Sequence, residues 1–355
     1  MALKAVPILD VPTLDHLPLP SPCVKHPPSF AVIGHRGHGM NSQSSSSTRE
    51  NSILSFNTAG RLPNISFVEF DVQVTSDGVP VIFHDVFILT GDANGGVSER
   101  RVAELTLAEF LSYGLQPDPI LPGKPLLRRA DGGKIFDWVV EADDTLCTLR
   151  DAFRRVDPRL GFNIEIKFDD DLEYDEDDLT ETLDVILRTV SDDAGSRPVI
   201  FSSFHPDAAR ILRGIQREYP VFFLTEGGME IYRDRRRNSL EEALRLCLGS
   251  GLDGIVSDVR AVLRNPAAVA VIKEAKLRLL TYGGLNNTAE VVCLQQMMGI
   301  DGVIVDHVQE ISEVVSGFVG VETVDAEEGG DDWRPKFSEG QMSFLRELVA
   351  ELVHE

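Results

Sequence analysis

Residues 163 to 167 read Asn-Ile-Glu-Ile-Lys. In an extended strand successive side chains alternate between faces, so Asn163, Glu165 and Lys167 share one side and Ile164 and Ile166 the other. If the apolar side packs on helices, the polar trio points into an interior, where charges must be paired or bind ions. Glu69 and Asp71 repeat the pattern two residues apart, with Phe70 on the opposite face. Two carboxylates on one strand face repel unless a cation or a shared proton lies between them. With Glu165 added from another strand, three carboxylates could surround one hard divalent ion and leave positions for water and substrate. Plainer readings stand beside this one. Glu165 and Lys167 could be an ion pair closing the bottom of a barrel, and Glu69 with Asp71 an outward-facing polar pair.

Two histidines sit at the ends of short apolar runs. His35-Arg36-Gly37 closes the first run, and His84-Asp85 closes another. Gly34 and Gly37 let the backbone turn sharply and let a ligand approach. Arg36 offers a planar fork suited to a phosphate. A lone strand-end histidine is commonly a surface residue, but two beside an arginine and a carboxylate cluster suggest chemistry. Cleaving a phosphodiester needs a base for the attacking hydroxyl and an acid for the leaving alcohol, and two imidazoles supply both near neutral pH. Arg36, Lys167 and a cation would stabilise charge on the phosphoryl oxygens.

These residues need a scaffold that brings strand ends together. Apolar runs recur at 31–34, 66–70, 79–83, 161–168, 198–204, 221–225, 254–257, 278–282 and 302–306, most separated by stretches of helical periodicity such as 179–190, 206–217, 239–248 and 266–275. Strands alternating with helices over roughly 250 residues predict a parallel sheet. Functional-looking residues at the C-terminal ends of the runs favour a (β/α)8 TIM barrel. Nine runs compete for eight staves, so one is an extra strand. Only Val72–Gly78 separates Asp71 from the run at Val79, too little for a crossover helix. The expectation is that Val72–Thr75 runs back down and Ser76–Gly78 turns, with Asp77-Gly78 as the turn signal.

The domain reading has three parts: a Pro-rich arm over 1–29, a barrel over 30–315 with an insertion at about 86–145, and an acidic linker with a C-terminal helix over 316–355. That helix is expected at Ser338–Val353, after the acidic stretch Asp325–Asp332. Ser44–Ser47 is a low-complexity loop that could fold over a mouth. The acid-rich run Asp169–Asp178 reads as a solvated loop leading into a helix, with a second cation site as the alternative.

The whole chain of 355 residues carries 34 Lys+Arg against 57 Asp+Glu, a net charge of −23. That argues against nucleic-acid binding and against an electrostatic membrane anchor, both of which need basic clusters. No apolar run approaches the roughly 20 residues of a membrane span. Cys23, Cys147, Cys247 and Cys293 are far apart with no C-x-x-C, which fits reduced thiols. Prolines 7, 12, 18 and 20 interrupt any signal-peptide core, and Asp10 and Asp15 make a poor transit peptide. The expectation is an intracellular protein, in plastid or cytosol.

The ordered set of motifs resembles the glycerophosphodiester phosphodiesterase family, in its plant intracellular branch. The set is H-R-G at 35–37, E-N at 50–51, Glu69 and Asp71, D-G-x-P-V-x-x-H-D at 77–85, N-I-E-I-K at 163–167, S-S-F at 202–204 and D-G-V-I-V-D at 301–306. The plant flavour rests on H-R-G-H-G-M-N at 35–41, F-S-S-F-H-P-D-A-A at 201–209, V-F-F-L-T at 221–225 and R-R-N-S-L-E-E-A at 236–243. The resemblance covers about residues 31–315. It implies a TIM barrel of the phospholipase C-like phosphodiesterase type with an insertion after the third strand. It implies hydrolysis of glycerophosphodiesters, such as glycerophosphocholine, to sn-glycerol 3-phosphate and an alcohol. Metal ligands would fall on Glu69, Asp71 and Glu165, the acid/base pair on His35 and His84, and phosphate contacts on Arg36 and Lys167. A glycerol hydroxyl would attack first, and water would then open a cyclic phosphate. Family members differ between Mg and Ca, and a small open site favours Mg. One departure is the late W-T-V-N segment, which reads Thr281-Tyr282-Gly283-Gly284-Leu285-Asn286 here. Tyr282 would line the glycerol or leaving-group side. Two other readings compete: a lipase-like enzyme on intact lipid, which would need an exposed apolar rim, and a silent barrel, which would lack one of the acids or histidines.

Overall fold

The computed structural model describes residues 30–42, 47–92, 95–118, 120–130, 132–319 and 339–354. The Pro-rich arm, most of the Ser44–Ser47 loop and the acidic linker lie outside the described residues. Eight parallel strands close into a barrel: β1 (Ala31–Gly34), β2 (Ile65–Val74), then, numbering past five strands outside the ring, β8 (Gly161–Ile166), β9 (Val199–Ser203), β10 (Val221–Thr225), β11 (Gly254–Asp258), β12 (Arg278–Tyr282) and β13 (Gly302–Val305). β13 pairs back on β1, and β1 pairs with β2, which completes the ring. Helices cover the outside: α1 (Ile53–Ala59), α3 (Leu149–Arg155), α4 (Glu176–Asp193), α5 (Pro206–Ile215), α6 (Leu240–Ser250), α7 (Val259–Arg264), α8 (Ala267–Glu274), α9 (Ala289–Met297) and α10 (Val308–Val319). α2 (Leu107–Leu111) belongs with the five strands outside the ring.

Period-two alternation sorts each stave. Phe70 faces outward, packing against the tilted ring of Phe56 of α1 at 5.0 Å and meeting Phe162 of β8 edge-on at 4.9 Å. Ile33, Phe67, Phe222, Leu224, Val256, Leu280 and Ile304 fill the lumen as a separate apolar cluster. The lumen is therefore a packed floor. Continuing along the inward face, Ile33 is followed by His35 and Phe67 by Glu69 and Asp71, so the polar groups lie above that floor.

Local signals set the helix starts. Thr148 and Asp151 form a capping box at α3, and Asp175 and Asp178 form one at α4. The second half of the acid-rich run is thus a helix N-terminus, where carboxylates are favoured by the helix dipole.

The path after Asp71 differs from the expectation. β2 does not reverse at Val72. It continues to Val74, past the end of β8, which stops opposite Val72 at Ile166. The turn is at Thr75–Val79, with Gly78 at φ 75°. β3 (Pro80–Ile82) then returns antiparallel, pairing Ile82 with Val72. The extra run among the nine is therefore β3. Alternation alone cannot tell a stave from a returning arm, because both bury one face. The hairpin carries the chain back until Phe83 N–H donates to the Asp71 carbonyl at 3.0 Å, which sets His84 beside the carboxylates.

Between β3 and β8 lie β4 (Phe87–Gly91), β5 (Val97–Arg101), β6 (Leu127–Arg129) and β7 (Ile135–Asp137), an antiparallel sheet in the order β5-β4-β6-β7. With α2 it encloses its own core around Phe83, Ile88, Val102, Leu105, Phe110 and Trp138. At the other end of the chain, α11 (Glu339–His354) buries Leu345 against Val259, Leu263 and Val291. Among the described residues no helix is long and apolar enough to cross a membrane. Cys147, Cys247 and Cys293 are buried free thiols.

Candidate active site

Glu69, Asp71 and Glu165 meet at the C-terminal end of the barrel because β2 and β8 pair in register, Asp71 beside Glu165. One oxygen of each lies within 4.8 Å of the others, and all three residues are buried. The Glu69 Oε1 atom is buried with no hydrogen-bond partner. Burial, then the charges of Asp71 and Glu165, pushes the Glu69 carboxyl up to about 8. Asp71 moves the other way. Burial would raise it, but the charges of His84, Lys167 and Arg36 and the Asn51 amide, 2.9 Å away, hold it well below the carboxylate range. An orphaned oxygen among three converging carboxylates fits a hard divalent cation. Lys167 Nζ lies 2.9 Å from Glu165 and 3.5 Å from Asp71, so the pair belongs to this rim and does not close the bottom of the barrel. Burial opposes the Lys167 ammonium, yet these two carboxylates keep it charged.

The turn after β1 aims Arg36. Gly34 has no room for a Cβ, which would sit 2.0 Å from the Gly37 carbonyl oxygen. Arg36 itself takes φ 46°, a left-handed conformation that a non-glycine residue adopts at a cost. In return its N–H donates to Glu69 Oε2 at 3.0 Å. Its guanidinium reaches Glu50 at 2.8 Å and comes within 3.6 Å of Asp71.

Each histidine is held at Nδ1 by a carboxylate. His35 Nδ1 is 2.6 Å from Asp306, and its Nε2 faces Glu69 at 3.9 Å. His84 Nδ1 is 2.7 Å from Asp85. When Nδ1–H donates to the aspartate, the neutral ring presents a lone pair on Nε2. Burial pulls His35 down, but the hydrogen bond and charge of Asp306 outweigh it and the net shift is upward. His84 is shifted down, by burial first and then by the positive charge of Arg36 and Lys167.

Beside this cluster opens a cavity of about 490 Å³, whose wall includes His84, Glu165, Lys167, Phe204, Glu226 and Arg237. Tyr282 stands one layer back. Its ring meets Phe204 edge-on at 6.1 Å, and its hydroxyl donates to the Thr225 carbonyl at 3.5 Å. The acid-rich run contributes Asp169, tied to Arg101 at 2.8 Å, and Asp170, tied to Arg237 at 2.7 Å. Seven of the eight residues singled out from the sequence thus gather at one rim, and Tyr282 stands behind it. Several supporting groups, Asn51 on Asp71 among them, had no role in that reading. Asp85, Asp306 and Glu50 lay inside recognised motifs. Arg128, on β6, donates to Glu50 at 2.8 and 3.0 Å from a distance of 78 residues in the chain, and no sequence pattern pairs them.

Residues 35–310 match the glycerophosphoryl diester phosphodiesterase family. The chain is 53% identical, over 99% of both chains, to the chloroplastic glycerophosphodiester phosphodiesterase GDPD1 of Arabidopsis thaliana. It is 32% identical to the glycerophosphocholine phosphodiesterase GDE1 of Candida albicans, over 80% of this chain and 28% of the larger fungal one. Among solved structures, an Oleispira antarctica phosphodiesterase in complex with the product sn-glycerol-3-phosphate is similar in fold. Its TM-score is 0.56 at 20% identity, covering 81% of this chain and 96% of the other.

Proposed function

The chain belongs to the glycerophosphoryl diester phosphodiesterase family, and from that premise we propose that it hydrolyses glycerophosphodiesters, glycerophosphocholine and glycerophosphoethanolamine among them, to sn-glycerol 3-phosphate and an alcohol. The observation that carries this reading is a cluster of three buried carboxylates flanked by two histidines, each braced by an aspartate. Glu69, Asp71 and Glu165 would hold one divalent cation, Mg rather than Ca. When bound it supplies positive charge opposite the phosphoryl oxygens. Arg36 and Lys167 add to that field and orient the phosphate.

His35 and His84 move protons through Nε2. One imidazole takes the proton of a glycerol hydroxyl as its oxygen bonds to phosphorus. The other gives a proton to the head-group oxygen as its bond to phosphorus breaks. Water then attacks the cyclic phosphate, its proton passing to an imidazole, and the ring oxygen that leaves phosphorus takes a proton from the other. Tyr282 and Phe204 shape the side of the cavity that receives the glycerol or head group. The chloroplastic relative supports residence in a plastid, with the cytosol as the alternative, and a fluorescent fusion of the full chain distinguishes them.

The test is release of sn-glycerol 3-phosphate from glycerophosphocholine by the purified protein. Chelation should abolish it, and Mg or Ca should restore it. Glu69→Ala should lose metal binding by calorimetry. Hydrolysis of lipid vesicles with no turnover of any soluble diester would overturn the proposal in favour of a lipid-directed enzyme.

A further inference from the structure

We propose that Arg128, contributed by the antiparallel sheet outside the barrel, is a positioning residue for Arg36, acting through the carboxylate of Glu50. This rests on the reading of Arg36 as a phosphate-binding group.

The Glu50 side chain is completely buried, and its two oxygens are shared among three donors. Oε1 accepts from Arg36 at 2.8 Å and from Arg128 at 3.0 Å. Oε2 accepts from Arg128 at 2.8 Å and from the Asn41 backbone N–H. One negative charge therefore lies between two guanidinium groups, and Arg36 holds only one arm of it. The Arg36 Nε–H is left without a hydrogen-bond partner. A guanidinium facing a free carboxylate closes a two-point fork upon it. Arg128 prevents that closure by occupying the second arm. Arg36 is thereby oriented through one Glu50 oxygen, and its Nε–H, 3.6 Å from Asp71 and without a hydrogen-bond partner, is left to an incoming phosphate.

Arg128 is itself fixed. Its guanidinium lies over the Trp138 ring at 4.5 Å and donates to the Asn41 carbonyl at 2.9 Å. Trp138 Nε1 donates to the Asn41 side chain at 3.1 Å. The sheet outside the barrel thus grips the loop after β1 at the residue that also bonds Glu50.

The experiment compares Arg128→Ala, Arg36→Ala and the double variant on glycerophosphocholine with Mg present. Arg128→Ala should raise KM on the order of tenfold with Mg affinity close to wild type, and any fall in kcat should be smaller than that, since Arg128 Nε stands 3.8 Å from Asp85, the partner of His84. In the Arg36→Ala background the same change should add nothing, because the group it positions is gone. An unchanged KM, or the same loss with and without Arg36, overturns the proposal; the second result assigns Arg128 to general stability. A KM untouched by Arg36→Ala overturns the reading of Arg36 itself, and this proposal with it. If Arg128→Ala does not fold, Arg128→Lys and Arg128→Gln replace it. Lysine keeps a charge on Glu50 and should hold KM nearer to wild type than glutamine, and equal KM values for the two overturn the proposal.

Discussion

Glu50 and His84 show how a single side chain can be set by its surroundings. Burial would raise the Glu50 carboxyl, but Arg36 and Arg128 pull it below its ordinary 4.5. Its folded value is the lower one, so its contribution to stability is complete above about pH 4.5 and is lost as pH falls through the folded value. Glu50→Gln should therefore cost stability at neutral pH, and the gap to wild type in urea unfolding should narrow below pH 4.5. A gap that stays constant across that range would contradict the ion triad. His84→Ala should lower turnover by about 10²- to 10⁴-fold, the usual range for removing an acid/base group, while calorimetry finds Mg binding retained. Most of the site was legible in the sequence because alternation and motif order name residues that lie on strand ends. Arg128 was not, since a pairing across 78 residues depends on how a separate sheet folds back.

At the level of elements, the staves and their helices follow from periodicity and capping, and the sequence-based boundaries fall near the observed ones at α4, α5 and α6. The turn of the β2–β3 hairpin falls at the Asp77-Gly78 signal, with no helix before it, but the direction of the strand leading into it escaped that reading. A strand of ten residues that overshoots its neighbour looks, in sequence, like a stave followed by a reversal. The link from α3 to β8 was equally hidden. Arg197, buried ahead of β9, donates to the carbonyls of Asp157, at 2.7 Å, Val156, at 2.8 Å, and Leu160. Its guanidinium also lies over Phe162 at 4.1 Å. It satisfies carbonyls at and just beyond the α3 C-terminus, where a cation also suits the helix dipole. Arg197→Met should lower the unfolding free energy by about 2–4 kcal/mol, from the buried Val156 and Leu160 carbonyls that lose this donor, as read from urea denaturation. A loss within experimental scatter would mean that water replaces the guanidinium.

At the scale of the whole molecule, a net charge of −23 surrounds the site proposed to receive an anionic phosphate. The local cations act at contact, and the distant acids act through solvent, where salt screens them over about 10 Å at 0.1 M. Raising ionic strength from about 0.01 to 0.1 M should therefore increase kcat/KM for a diester with net negative charge, such as glycerophosphoglycerol. Zwitterionic glycerophosphocholine should change less. A fall for both substrates would show that the contact cations govern the approach.

The grip of β6 and Trp138 on the loop after β1 also bears on engineering. The side sheet cannot be exchanged as a free module to retune head-group choice. A graft from a homologue would have to bring matching partners for Asn41 and Glu50, or the loop that carries Arg36 would lose its anchor.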